Sequence, residues 1–253
     1  MEVIKVLAKI LTNILTALYE PFGFSLLLSF LAMFFYLYAY APAAAGKGWK
    51  NAIVTWYQKF KESVFFRKLF LLAFVTSMIL FRTLLNRNLW MNPLSDVMGG
   101  WGIWETVNGE QKLTTECIEN VIMMVPFSAV VAWTFGEKIG NGEKKILWQS
   151  GKIAFGFSIS IEMLQLLLRL GTFQLSDIFY NTVGGVLGSV IGALVRSTID
   201  PLTSDFGVPA EWTTIVVGLM ILIFVVLQRA GHVKQRNSRA LGGLYQQADR
   251  HGR

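Results

Sequence analysis

The hydrophobic pattern of the chain consists of long apolar runs separated by shorter polar connections. A helix of about twenty apolar residues crosses the hydrocarbon core of a bilayer. Six runs reach or approach this length, and they predict membrane spans at 22–41, 69–85, 118–135, 153–170, 178–196 and 213–227. The pattern therefore predicts an all-α, polytopic integral membrane helical bundle of about six transmembrane helices.

The polar connections predict how this bundle is oriented. Segment 3–19 interleaves lysines with branched apolar residues, which is typical of a helix lying in the interface, with burial as a helical hairpin as the alternative. Loops 47–68 and 136–152 are basic, and the positive-inside rule places them in the cytoplasm. Segment 86–117 is acidic and rich in tryptophan, which favours the outer face at headgroup level.

The chain divides into four predicted parts. They are 1–68 (the amphipathic segment, an additional transmembrane helix and a basic loop), 69–196 (the transmembrane core), 197–230 (the last transmembrane helix) and 231–253 (a basic, disordered tail). Counting spans from the basic loops puts the tail outside, whereas its own charge would put it inside. The sidedness of both termini stays open at this point.

Composition supports a membrane protein and excludes several other classes. The chain is 53% hydrophobic and 15% charged, with a mean hydropathy of +0.49. Its net charge of +7 comes from loops flanking apolar spans, so we predict no nucleic-acid partner. Cys117 is the single cysteine, which excludes an intrachain disulfide. The two histidines, His232 and His251, lie in the tail, so we predict no metal site and no cofactor.

Two neighbouring spans carry polar side chains where lipid disfavours them. Glu162, Gln165 and Arg169 are spaced i, i+3 and i+7, so a continuous helix places them on one face. Asp177 and Asn181 share a face of the next span in the same way. A charged group within a span costs roughly 2.5–3.5 kcal/mol on insertion scales, so it is retained mainly where it faces protein or water. We therefore predict that the polar faces of these two helices face each other.

Small residues continue the polar face of the later span. Four glycines follow Asn181 at short intervals: Gly184, Gly185, Gly188 and Gly192. Small residues let two helix backbones approach closely, so this stripe predicts a helix-packing interface and not a ligand site.

Two polar residues in earlier spans extend the predicted site. Arg82 lies near the outer end of its span, where it either snorkels to headgroups or pairs with the acidic groups of the central helices. Asn120 begins the span that contains Pro126. The complete predicted ligand-binding set is Arg82, Asn120, Glu162, Gln165, Arg169, Asp177 and Asn181.

Three motifs in this order resemble the VanZ-like family of membrane proteins, which is associated with teicoplanin resistance. They are LFRTLLNRNLWMNP (80–93), ENVIMMVPFSAVVAW (119–133) and SISIEMLQLLLRLGTFQLSDIFYNTVGGVLG (158–188). The resemblance covers roughly residues 69–195. Many members have an arginine in the loop where this chain has Leu170-Gly171-Thr172, and an additional apolar region precedes the family core.

The resemblance implies a multi-pass protein of the bacterial plasma membrane. We expect it to recognise a lipid or lipid-linked cell-wall component and thereby to alter sensitivity to lipoglycopeptides such as teicoplanin, which it would affect indirectly. Two alternatives stay open: an intramembrane enzyme acting on a lipid headgroup, and a small transporter. Glu162 and Asp177 are the candidates for general acid/base catalysis. Alternatively, the polar groups only hold helices in register, through bonds worth about 0.6 kcal/mol each.

Overall fold

A computed structural model describes residues 12, 20–40, 48–107, 110–139 and 142–204 of the chain. The described elements are α1 (Phe22–Phe35, continued by a π-helical turn at Tyr36–Tyr40), α2 (Trp49–Glu62), α3 (Val64–Leu80, continued by a π-helical turn at Phe81–Leu85), β1 (Trp104–Val107), β2 (Glu110–Leu113), α4 (Glu116–Ile139), α5 (Glu143–Leu168) and α6 (Leu175–Ser204).

Five of these helices are long and apolar enough to cross a membrane. They cover Phe22–Ala39, Val64–Leu85, Glu116–Gly136, Lys144–Leu168 and Leu175–Thr198. The prediction of an all-α polytopic membrane bundle is therefore confirmed. The sixth predicted span at 213–227, the amphipathic segment 3–19 and the tail 231–253 lie outside the described residues.

The prediction of a basic loop at 47–68 is wrong, because most of this segment forms α2. Trp56 anchors this helix to the bundle, because its ring packs on Phe30 of α1 and meets the edge of Phe70 of α3. Ser63 ends α2 in an extended conformation and accepts a hydrogen bond from the backbone N–H of Phe66, which caps α3. The many basic residues of this amphipathic helix led to its prediction as a loop.

The core of the bundle lies where α3, α4 and α5 meet. Phe74 and Ile79 of α3, Met124 and Val130 of α4, and Ile161 of α5 are almost fully buried there. α1 packs on α3, and α6 packs against both α4 and α5. This arrangement leaves many large apolar side chains exposed on the outer faces of the helices, as a lipid environment requires.

α4 and α6 approach each other more closely than side chains would allow. A Cβ atom added to any of three α6 glycines would overlap a backbone carbonyl oxygen of α4. The pairs are Gly184 with Val121, Gly188 with Val125, and Gly192 with Ala129. Both partners advance by four residues, so the contact runs along one face of each helix as a continuous seam.

Candidate functional site

A polar pocket of about 250 Å³ opens at the end of the bundle where α3 finishes and α4 and α6 begin. We call this the pocket end, and the end that carries α2 the opposite end. The pocket is lined by Arg82, Thr83, Asn86, Arg87, Glu116, Glu119, Asn120, Met123 and Asp177.

The π-helical turn Phe81–Leu85 presents the first pocket residues. A π turn adds one residue to a helical turn, which changes the direction of the side chains that follow, and such turns are frequent at functional sites. Arg82 and Thr83 both lie in this turn. Gln165 of α5 supports the turn because its Nε2 donates a hydrogen bond of 2.8 Å to the carbonyl oxygen of Thr83.

An ion pair joins α3 to α4 across the pocket. Arg82 donates to Oε2 of Glu119, and the hydroxyl of Thr115 donates to Oε1 of the same carboxyl group at 2.5 Å. The Glu119 side chain is only 10% exposed, whereas that of Arg82 is 32% exposed. Both oxygens of Glu119 are therefore engaged within the protein, while Arg82 keeps part of its guanidinium open to the pocket.

A second polar contact joins α4 to α6 just above the glycine seam. Nδ2 of Asn120 donates a hydrogen bond of 2.7 Å to Oδ1 of Asp177. The next residue of α4, Val121, already meets Gly184. The floor of the pocket is thus fixed where the two helices diverge from close backbone contact.

Glu162 lies beside the pocket and does not line it. Its side chain is only 2% exposed, and its Oε2 accepts a hydrogen bond of 3.1 Å from the backbone N–H of Gln174 in the turn between α5 and α6. Gln174 in turn donates from Nε2 to Oδ2 of Asp96 at 2.7 Å. Glu162 interacts electrostatically with Asp177 but has no direct hydrogen bond to it among the described residues.

The segment between α3 and β1 covers the turn between α5 and α6. Three backbone hydrogen bonds attach it: Trp90 N–H to the Arg169 carbonyl, Phe173 N–H to the Pro93 carbonyl, and Leu175 N–H to the Val97 carbonyl. At Gly100, whose φ of +76° suits glycine, the chain passes close to the side chains of Gln174 and Ser176.

This covering segment also exposes apolar side chains at the pocket end of the bundle. Met91 is 94% exposed, and Leu89 and Met98 are also largely exposed. Trp101 packs against the rings of Phe179 and Tyr180 at the start of α6. An exposed row of Leu, Met and Trp is typical of a segment that rests at the membrane interface.

The structure divides the residues predicted from the sequence into two groups. Arg82, Asn120 and Asp177 line the pocket. Gln165 and Glu162 are buried beside it and hold neighbouring backbone.

Asn181 lies deeper in the bundle, where it donates a hydrogen bond of 2.9 Å to the hydroxyl of Ser158 and joins α6 to α5. It belongs to the buried group and does not line the pocket.

The prediction that Arg169 shares a helical face with Glu162 is wrong. Its predicted place on the face of Glu162 required the helix to continue, but α5 ends at Leu168. Arg169 adopts a left-handed conformation with φ of 55°, and its side chain is exposed. Gly171 follows with a positive φ of 119°, so the chain has already turned toward α6 at this point.

Six pocket residues were not in the predicted set: Thr83, Asn86, Arg87, Glu116, Glu119 and Met123. Glu116 and Glu119 precede the first apolar run of α4, and Arg87 follows α3. In the sequence, these three residues therefore resemble ordinary charges that flank membrane spans. Their spacing did contain a signal, because Glu116, Glu119 and Asn120 are three and four residues apart and share a helical face.

Comparison with known proteins identifies the fold family. The sequence pattern of the VanZ/LLP1 family matches residues 55–196, more than half of the chain, and includes every residue that lines the pocket. The chain belongs to the VanZ/LLP1 family. The predicted resemblance is confirmed, and the matched region begins within α2, earlier than the predicted start at residue 69.

Two curated proteins share parts of the sequence. Protein VanZ of Enterococcus faecium is 28% identical over 116 residues, which cover 45% of this chain and 63% of that protein. Fructose import permease protein FruG of Bifidobacterium longum (strain NCC 2705) is 85% identical over 47 residues, which cover 19% of this chain and 14% of the permease. The chain thus spans less than two thirds of either relative. No solved structure matches it.

Proposed function

We propose that this VanZ/LLP1 membrane protein lies in the bacterial plasma membrane and binds the polar group of a lipid or of a lipid-linked cell-wall component in its pocket. Binding would change the availability of that component at the cell surface and thereby lower sensitivity to lipoglycopeptides such as teicoplanin. The antibiotic itself would not need to enter the pocket.

The observation that carries this proposal is a set of charged side chains gathered at one end of a membrane bundle. Five ionisable groups line the pocket: Arg82, Arg87, Glu116, Glu119 and Asp177. Four of them, all but Arg87, lie near the ends of membrane spans, where ionisable residues are costly and are candidates for functional sites. The pocket volume of about 250 Å³ accommodates a polar headgroup and leaves an attached acyl or prenyl chain outside.

The surroundings of the pocket favour a ligand that comes from the membrane. The covering segment places Leu89, Met91 and Met98 in exposed positions at the pocket end. A lipid could therefore keep its chain against this apolar surface while its headgroup reaches the charged residues. A soluble substrate would gain nothing from the same exposed apolar residues.

The match to the fructose permease does not carry a transport function to this chain. It covers 47 residues and 14% of the permease. A catalytic role has less support than binding, because the two candidate carboxyl groups do not share the pocket. Asp177 lines it, whereas Glu162 is buried against the backbone of Gln174.

The proposal is tested with cells that express the full-length chain at matched abundance. We expect cells with the wild-type chain to tolerate more teicoplanin than cells with the Arg87→Gln variant, because this substitution removes an exposed pocket charge and keeps an uncharged polar side chain. Lys144→Gln, an exposed substitution at the opposite end, is the matched control. Equal teicoplanin tolerance of wild type and Arg87→Gln would contradict the assignment of function to the pocket.

The proposal also places the pocket end at the outer face of the membrane. In a Cys117→Ser background, a cysteine substituted for exposed Asn88 should react with a membrane-impermeant thiol reagent on whole cells. A cysteine substituted for exposed Lys144 should not react until the cells are opened, because the basic loops predict a cytoplasmic location. The reverse labelling pattern would place the pocket on the inner leaflet.

A further inference from the structure

The charged groups of the pocket differ in whether they already have hydrogen-bond or ion-pair partners within the protein. Glu119 has donors on both oxygens, from Arg82 and Thr115. Among the described residues, Asp177 receives a donor on Oδ1 alone, from Asn120. In the described part of the chain, neither the side-chain carboxyl group of Glu116 nor the guanidinium of Arg87 has a hydrogen-bond or ion-pair partner.

The groups that can still accept or donate are the carboxyl groups of Glu116 and Asp177 and the guanidinium of Arg87, and all three line the same pocket. Asp177 interacts electrostatically with both Glu116 and Arg87. Two carboxylates facing one small pocket repel each other, and a cation placed between them removes that repulsion. A guanidinium at the same pocket binds phosphate or carboxylate through its planar set of donors.

We propose that the pocket binds a zwitterionic polar group, with its ammonium between Glu116 and Asp177 and its phosphate or carboxylate at Arg87. This inference rests on the proposed function and names the chemistry of its ligand. Two sources carry this chemistry: the headgroup of an amine-bearing phospholipid, and a peptide with a free amine on a lipid-linked cell-wall component. A purely anionic lipid would offer no cation to the carboxyl group of Glu116 or to Oδ2 of Asp177.

Lipid retention by the purified full-length chain tests this inference. The protein is placed in phosphatidylglycerol nanodiscs doped with equal amounts of phosphatidylethanolamine and its N-acetyl derivative with the same acyl chains. Retained lipids are then counted by native mass spectrometry. We expect retention of phosphatidylethanolamine to exceed that of the N-acetyl lipid at least about tenfold, because acetylation removes a charged hydrogen-bond donor.

Three substitutions assign the preference to the pocket. Glu116→Gln and Asp177→Asn should each lower the preference for the free amine, whereas Glu62→Gln, an exposed change at the opposite end, should not. Because the Glu116 side chain is exposed, Glu116→Gln keeps the test valid even if Asp177→Asn fails to fold. The same comparison with a lipid-linked peptide, with its amine free or acetylated, distinguishes the two sources.

The outcomes separate this inference from the proposed function. Equal retention of the free and acetylated lipids, lowered by Arg87→Gln, would overturn ammonium recognition and leave lipid binding intact. If neither the phospholipid nor the lipid-linked peptide is retained in a way that depends on the pocket residues, both this inference and the proposed function fail. A free-amine preference that survives Glu116→Gln and Asp177→Asn would overturn the placement of the ammonium between these residues.

Discussion

α4 and α6 meet in two contrasting ways along their length. At the pocket end, Asn120 and Asp177 meet through side chains and leave space beside them. One residue further along α4, the contact changes to carbonyl oxygens of α4 facing glycines of α6, with no space for a Cβ atom. The same helix pair is therefore open and charged at its start and closed and apolar below.

This contrast shows how a membrane bundle can hold a polar pocket in place. Interhelical hydrogen bonds in membranes contribute only about 0.6 kcal/mol on average, so the pocket contacts alone would hold its walls weakly. The seam at Gly184, Gly188 and Gly192 allows extensive backbone packing directly below. We infer that the seam supplies rigidity, which leaves the pocket side chains available for a ligand.

The largest effect is expected from filling the seam. Gly188→Leu would force α4 and α6 apart, because even a Cβ atom at this position overlaps the carbonyl oxygen of Val125. We expect a loss of stability at or beyond the upper end of the ~1–3 kcal/mol typical of overpacking. The amount of folded protein in membranes and its thermal unfolding midpoint in detergent measure this loss.

Gly156→Leu is the matched control for that experiment. Gly156 lies on an exposed face of α5, where an added Cβ atom has no atom of the described residues within 4 Å. The control should accumulate like the wild type. Normal accumulation and thermal stability of Gly188→Leu would show that the close approach of the two helices is not required.

A smaller effect is expected at the ion pair on the wall of the pocket. Arg82→Met removes the ion-pair partner of the largely buried Glu119 carboxyl group and leaves its hydrogen bond from Thr115 in place. Because Arg82 is one-third exposed, we expect a loss of about 1–2 kcal/mol, below the cost of breaking a fully buried pair. Thermal unfolding of both single variants and of the double variant with Glu119→Gln measures the coupling. Additive single effects would contradict a direct pair.

The smallest effect is expected where a buried side chain supports the π turn. Gln165→Met removes the donor to the Thr83 carbonyl while keeping a similar volume. We expect a loss of about 0.6 kcal/mol, the average for interhelical hydrogen bonds in membranes. The unfolding midpoint should therefore shift far less than for Gly188→Leu. A shift as large as that of Gly188→Leu would mean that the π turn, and not the seam, organises the bundle.

Hydrophobic runs were sufficient to predict the five described spans, because a bilayer requires long apolar helices whatever their tertiary contacts. The same signal could not reveal α2. Its mixture of lysines with Trp49, Ile53 and Tyr57 resembles a polar loop in composition. Only the burial of Trp56 against rings of α1 and α3 shows why this segment is helical and attached.

The site was harder to predict than the fold because it depends on where helices end and meet. Spacing placed Arg169 beside Glu162, but a left-handed residue after Leu168 ended that periodicity. Arg87 and Glu116 looked like charges at span ends, and their approach to Asp177 arises from tertiary packing across three helices. Sequence distance alone contains no such information.

The central claim is that function depends on the open charges of the pocket and not on polar groups that only support its walls. Teicoplanin tolerance of cells expressing Asp177→Asn, compared with Asn181→Ser at equal membrane abundance, tests this claim most directly. Both residues lie on α6, but Asp177 lines the pocket and Asn181 bonds to Ser158 in the bundle. We predict that Asp177→Asn abolishes the tolerance and that Asn181→Ser retains most of it. Full tolerance of Asp177→Asn cells would contradict the account.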